Sequence, residues 1–348
     1  MRGSQVSAWL FLRRNQPDRA CLLPGPENAN TRHVPQLPYL LCYLAFGSFA
    51  ITVIARFVMW ARLPMHVRWE LYPIPNGPAD KARYGGSFME EADWWKKTHK
   101  TSPLGAVKAT LPEVLLLSSV KAHNRQLWLR TYPFHLGLYL AGAATGLALL
   151  IGVLVGLAPG LLAGSLGTVA HNLVIVLGVL GLALGCLGAF ALLIRRLTLP
   201  ALRAYTVPAD IFNLAFFIVT FACGLLTFVL VDSHADKAMA FAVNLASFNW
   251  KPMPGTGLAW MLPTATVTLA SSLIAYIPLT HMSHFVGKYF AYHAIRWNDK
   301  PNLAGGPQEA KIAKLLAYKV SWAADHIQGG GNKTWADLAM ENPREEKK

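Results

Sequence analysis

The chain has 348 residues, 53% of them hydrophobic and only 14% charged, with a mean hydropathy of +0.33. A soluble domain carries about 25% charged residues, so most of this polypeptide is dissolved in lipid. The net charge of +14 suits anionic lipid head groups and acidic partner proteins and gives no reason to invoke nucleic acid.

Residues 1–36 read as an irregular extension rich in Pro and Asn; the apolar stretch before Arg13 and Arg14 is too short for a signal-peptide core. Five apolar runs follow, Leu37–Trp60, Thr131–Leu157, Thr168–Ile194, Ile211–Val231 and Leu258–Thr280, each long enough to cross a bilayer as a helix. The fold expected is therefore an all-α membrane protein, a bundle of five transmembrane helices with cytoplasmic amphipathic helices. The membrane domain covers 37–297, including a loop over 61–130, and a tail occupies 298–348. The second and third runs hold no Asp, Glu, Lys or Arg. Their glycines, among them Gly142 and Gly146, permit close approach of a neighbouring backbone or a flat cofactor.

Between the first two runs, DWWKK (Asp93–Lys97) places Trp94 and Trp95 beside lysines, as interfacial anchors or as part of a docking surface for a soluble partner. From Ser102 an amphipathic helix is expected, with Leu111, Val114, Leu115 and Leu117 on its apolar face, leading into the second span. A further helix is expected over Glu309–His326. The segments after spans one, three and five hold 24 of the 32 Lys and Arg residues, so the positive-inside rule puts the N-terminus outside and the C-terminus in the cytoplasm. The place expected is the cytoplasmic membrane of a bacterium or archaeon.

Histidines inside the spans carry the chemistry. His135 lies five residues beyond Arg130, and His281 and His284 lie seven and four residues before Lys288, depths of roughly 6 to 10 Å at 1.5 Å per residue. Ionisable side chains at such depths are rare and functional, and imidazole ligates a metal while neutral. A bis-histidine site for one haem b is the reading, with His135 as one ligand and His281 or His284 as the other. Arg125, Arg130, Arg195 and Lys288 are placed to pair with its propionates. The alternative for His135 is a neutral ring bonded to a backbone carbonyl of a neighbouring helix. His33, His66, His99 and His326 read as surface residues and His293 as structural. His123 reads as structural, with a propionate or quinone contact as its alternative. His171 and His234 offer at most an uncertain second haem site. Cys21, Cys42, Cys186 and Cys223 form no CxxC pair and no CxxCH, which argues against an iron–sulfur cluster in this chain and against covalent haem attachment. Asp210 and Asn213, at the start of the fourth span, are candidates for a quinol pocket, or Asp210 simply caps that helix.

The segments WELYPIP (Trp69–Pro75), HNRQLW and YPFHLGLYL (His123–Leu140), Arg195–Leu214, THMSHFVGKYFAYHAIRWND (Thr280–Asp299) and TWADLAMENP (Thr334–Pro343) resemble the gamma subunits of respiratory nitrate reductase. The likeness is to the branch that accompanies heterodisulfide-reductase-like iron–sulfur proteins of sulfate reducers. It implies haem b between spans two and five, a menaquinone or other quinone as redox substrate, and an iron–sulfur subunit docked on the cytoplasmic face. The family's proximal histidines fall on His135 and His281. Its distal pair would fall on Thr145 and Pro263, so one haem is expected and not two. A cofactor-free anchor or proton-conducting subunit is the competing class. No internal repeat and no carboxylate within the span interiors support it.

Overall fold

A computed structural model describes residues 36–62, 91–93, 96–97, 103–158, 160–162, 164–253, 255–290, 303–324, 327 and 329–341. Outside these lie the extension through residue 35, Trp69–Pro75, Trp94, Trp95, Lys100, and the histidines 33, 66, 99, 293 and 326. The described chain is all α, with five helices long and apolar enough to cross a membrane: α1 (Leu37–Ala61), α4 (Arg125–Leu157), α5 (Ser165–Thr198), α7 (Pro208–Leu230) and α9 (Leu258–Tyr276, continued by a 3-10 turn to Leu279). Shorter helices are α2 (Pro103–Leu115), α3 (Ser118–His123), α6 (Pro200–Arg203), α8 (Asp236–Ala246), α10 (His284–Phe290), α11 (Pro307–Leu316) and α12 (Trp335–Met340). This is a multi-pass membrane protein. It divides into two compact units, one of residues 1–50 and 117–278, the other of residues 51–116 and 279–348.

In the first unit the α4–α5 pair is held by small residues. A Cβ on Gly137 would stand 2.2 Å from the Gly185 nitrogen, and one on Gly188 would stand 2.3 Å from the Phe134 nitrogen, so the two backbones touch where only glycine fits. Gly142 and Gly146 do not take part in this. They face open space, with nothing within 4 Å of a Cβ on either. Phe134, buried, stands edge-on to Phe217 of α7 at 4.9 Å between ring centroids, and Tyr276 of α9 donates to Asn213 of α7 at 2.8 Å. At the other end of the spans, α8 lays Met239, Ala242 and Leu245 inward, and Tyr39 and Tyr43 of α1 donate to the carbonyls of Lys251 and Leu245. A helix at this place was absent from the hydropathy reading because its period-3.6 pattern is only eleven residues long.

Several expected boundaries move. The amphipathic helix from Ser102 is two helices, broken where Leu117 adopts a left-handed φ of 51° while its side chain is buried. The second span begins at Arg125, six residues before its apolar run, because Asn124 caps it by accepting the Leu127 N–H at 2.9 Å. The fifth span stops at Pro278, whose missing N–H ends the α-ladder, so His281 and His284 follow the span instead of lying on it.

In the second unit the tail helix expected over Glu309–His326 ends at Leu316. The chain then doubles back through bridges pairing Lys319 with Thr334 and Ala324 with Ile327, with Val320 buried and Trp322 edge-on to Trp335. The TWADLAMENP stretch supplies α12. Thr334 accepts the Asp337 N–H at 3.2 Å, and the Asp337 carboxylate accepts the Thr334 N–H at 2.8 Å, a reciprocal cap.

Candidate functional site

His135 is the eleventh residue of α4 and half-buried. Its neighbour Phe134 is wedged against α5 and α7, which fixes the orientation of this turn. The His135 ring lies edge-on to Phe134 at 5.5 Å. Nδ1 stands 2.8 Å from the Thr131 carbonyl oxygen. A carbonyl only accepts, so Nδ1 carries the proton and the lone pair sits on Nε2, the arrangement that holds a metal-ligating imidazole in one tautomer. The alternative reading of this histidine, a ring bonded to a backbone carbonyl, is met in this bond. Its acceptor, however, is one turn back on its own helix and not on a neighbour. Gly142 and Gly146, seven and eleven residues on, lie within about 20° of His135 around the helix axis. Both are open, so the face beyond His135 is a bare strip able to accept a flat ring.

In the second unit His281 opens a 3-10 turn whose cap is Thr280, accepting the Met282 N–H at 3.2 Å, while the Ser283 hydroxyl, buried, donates to the Thr280 carbonyl at 2.9 Å. His284 begins α10. Although part of the residue faces outward, burial pushes its imidazole below the ordinary histidine value. The charges of Lys288 and His281 act in the same direction, and a bond to the His281 backbone opposes them. Arg56 donates to the Leu279 carbonyl at 2.9 Å, and Lys288 pairs with the buried Glu113 of α2 at 3.0 Å. These two contacts brace the histidine turn, and sequence reasoning missed Glu113 and Arg56. The available signal was an acid, Glu113, set among the apolar residues of an amphipathic helix.

The basic residues divide. Lys288 is engaged by Glu113, Arg130 donates to the Gln126 carbonyl at 2.8 Å, Arg125 is exposed and Arg195 half-buried. The ion pair at the start of α7 belongs to Arg196, which meets Asp210 at 2.8 Å. The same carboxylate accepts the Val207 N–H at 3.2 Å, so capping and pairing account for Asp210. Asn213 is tied to Tyr276. His123 ends α3 with Nδ1 2.8 Å from the Ser119 carbonyl, and His171 Nε2 lies 2.7 Å from the His234 carbonyl oxygen.

Five helices long and apolar enough to cross a bilayer, with a half-buried histidine on the second, define an integral membrane protein. The family model for the nitrate reductase gamma subunit matches residues 116–298, more than half of the chain, which therefore belongs to that family. It is also similar to a protein of Archaeoglobus profundus called Hdr-like menaquinol oxidoreductase cytochrome b-like subunit, 26% identical over 311 residues that cover 81% of this chain and 88% of that one.

Proposed function

We propose that the protein is a membrane cytochrome b subunit of a respiratory complex, passing electrons between the quinone pool, menaquinone in the first instance, and an iron–sulfur subunit of heterodisulfide-reductase type in the cytoplasm. The observation that carries this reading is His135. Its tautomer is set by the Thr131 carbonyl, and a glycine-bared strip runs beyond it on the same helix face. His135 and His281, with His284 as the alternate to His281, are the proposed axial ligands, and Arg125, Arg130, Arg195 and Lys288 are the proposed propionate partners. Haem b, when bound there, supplies one-electron transfer.

The chain's own part is to orient the imidazoles, exclude water from the site and surround it with positive charge. The relative from Archaeoglobus profundus supports menaquinol as substrate by its name. The surplus of Lys and Arg after spans one, three and five supports a cytoplasmic C-terminus and an acidic partner on that side. The test is reduction of the chain's b-type α-band in membranes by a menaquinol analogue. The result expected is rapid reduction. Failure to reduce, alongside ready reduction by an outer-face c-type cytochrome, overturns the reading.

A further inference from the structure

The first unit contains two chambers that share a wall. The larger, of about 320 Å³, lies among α1, α4, α5, α7, α8 and α9, and its lining is almost wholly apolar, including Phe46, Leu149, Val174, Leu182 and Phe228. Its polar groups are few and bonded. The Thr145 hydroxyl donates to the Ala141 carbonyl, Thr227 and Thr266 bond each other at 2.7 Å, and Cys42 and Ser271 lie 3.3 Å apart. Away from the Asp232 carboxylate, which it shares with the smaller chamber, such a wall accepts a hydrocarbon chain. The smaller chamber, of about 150 Å³, shares Thr227, Asp232, Phe241 and Thr266 with the first and adds Lys237, Asn244 and Met253.

At this end donors are present. The Lys237 ammonium has three N–H groups and a long contact of 3.4 Å to the Ala259 carbonyl. Its backbone is pinned, because the buried Asp232 carboxylate accepts the N–H groups of Lys237 and Ala238 at 3.0 and 2.9 Å.

We propose that the paired chambers bind an isoprenoid-tailed quinone, with the ring carbonyl against Lys237 and the tail along the apolar chamber. The placement rests on the quinone reading above. An acyl lipid would suit the large chamber, but in the small one its phosphate would meet the Asp232 carboxylate beside the Lys237 ammonium, whereas a neutral quinone carbonyl needs only the donor. Thr145, on the wall of the large chamber, stands ten residues from His135 on α4, about 15 Å along the axis. Asp210 and Asn213, the quinol-pocket candidates suggested by the sequence, are engaged by Arg196, the Val207 N–H and Tyr276, whereas these chambers are open.

The experiment uses native membranes and a photoreactive azidonaphthoquinone with an isoprenoid tail, its adducts mapped by peptide mass spectrometry. Saturable labelling is expected within residues 227–267, displaced by unlabelled menaquinone. Lys237→Met should weaken it about tenfold, the effect of losing one charge-assisted hydrogen bond. Ala148→Phe, which fills the tail chamber, should abolish it. The b-type spectrum should be unchanged in both variants, and Lys237→Met alone decides if Ala148→Phe fails to accumulate. Saturable labelling elsewhere that neither variant affects overturns this placement and leaves the quinone reading standing. Displacement by phosphatidylglycerol but not by menaquinone makes the cavity a lipid slot and overturns the proposal. No saturable labelling anywhere in the complex defeats the quinone reading itself.

Discussion

The Thr131 carbonyl, 2.8 Å from His135 Nδ1, fixes the ring proton there and leaves the lone pair on Nε2, the nitrogen proposed as the ligand. His135→Ala should therefore abolish a low-spin b-type spectrum while leaving membrane insertion intact, since alanine suits the bilayer; a full spectrum in this variant would remove the central claim. His281→Ala should have the same effect and His284→Ala a smaller one, which reduced-minus-oxidised difference spectra separate. In the unit that holds His281 and His284, Glu113 and Lys288 form a pair in which the acid is buried. Glu113→Gln should cost about 2 kcal/mol by weakening a charge-assisted bond, and Glu113→Leu with Lys288→Met should recover most of it, because removing both partners leaves neither stranded. Thermal melting of the purified chain reads both variants.

At the scale of elements, the α4–α5 seam separates glycines that pack from glycines that do not. Gly137→Ala drives a methyl into the α5 backbone and should destabilise by about 1–3 kcal/mol, whereas Gly142→Ala meets open space and should leave the melting temperature unchanged. If the strip beyond His135 receives a flat ring, Gly142→Ala should lower haem content all the same. In the tail, α12 depends on Asp337, whose carboxyl is held below its ordinary value by hydrogen bonds from Thr334, backbone first and then hydroxyl. A lowered folded value means that the cap contributes fully above the ordinary carboxylate range near 3.8 and is lost as pH falls through the lowered value. Asp337→Ala should speed amide hydrogen exchange over residues 334–341 at neutral pH and leave the rest of the chain protected.

For the molecule as a whole, charge and cofactor number are the measurable quantities. Missing histidines at Thr145 and Pro263, with Thr145 instead lining an apolar chamber, lead to about one haem per chain by pyridine haemochromogen assay. A value near two would point to His171 and His234, whose ring-to-carbonyl bond would then have to break. Lys96 and Lys97 pair with Asp93 and Glu91 at the surface, and Lys121 lies over Trp128 at 5.2 Å. Exposed pairs of this kind are weak, which leaves their lysines available to an acidic partner. Reversing the charges of Lys96, Lys97, Lys100 and Lys121 together should weaken co-purification of the iron–sulfur subunit, as should added salt, with the b-type spectrum unchanged.

Hydropathy alone determined the five spans, because a bilayer demands about twenty apolar residues per crossing and tolerates few others. His135 stands out in the sequence on the same ground, since few histidines lie inside apolar runs. Tertiary structure decided what short-range signals leave degenerate. Gly137 and Gly142 are equivalent in sequence, and only the partner helix makes one a contact and the other a gap. Asp210 reads equally as a pocket member or a helix cap, and only the folded chain ties its carboxylate to Arg196 and the Val207 N–H, and Asn213 to Tyr276. Helix α8 and the twin chambers depend on contacts between residues far apart in the chain, such as Tyr39 with Lys251 and Tyr43 with Leu245. A linear pattern records which residues prefer lipid. It does not record which of their faces will meet, because that is settled by packing between segments whose separation in sequence carries no information about their distance in space.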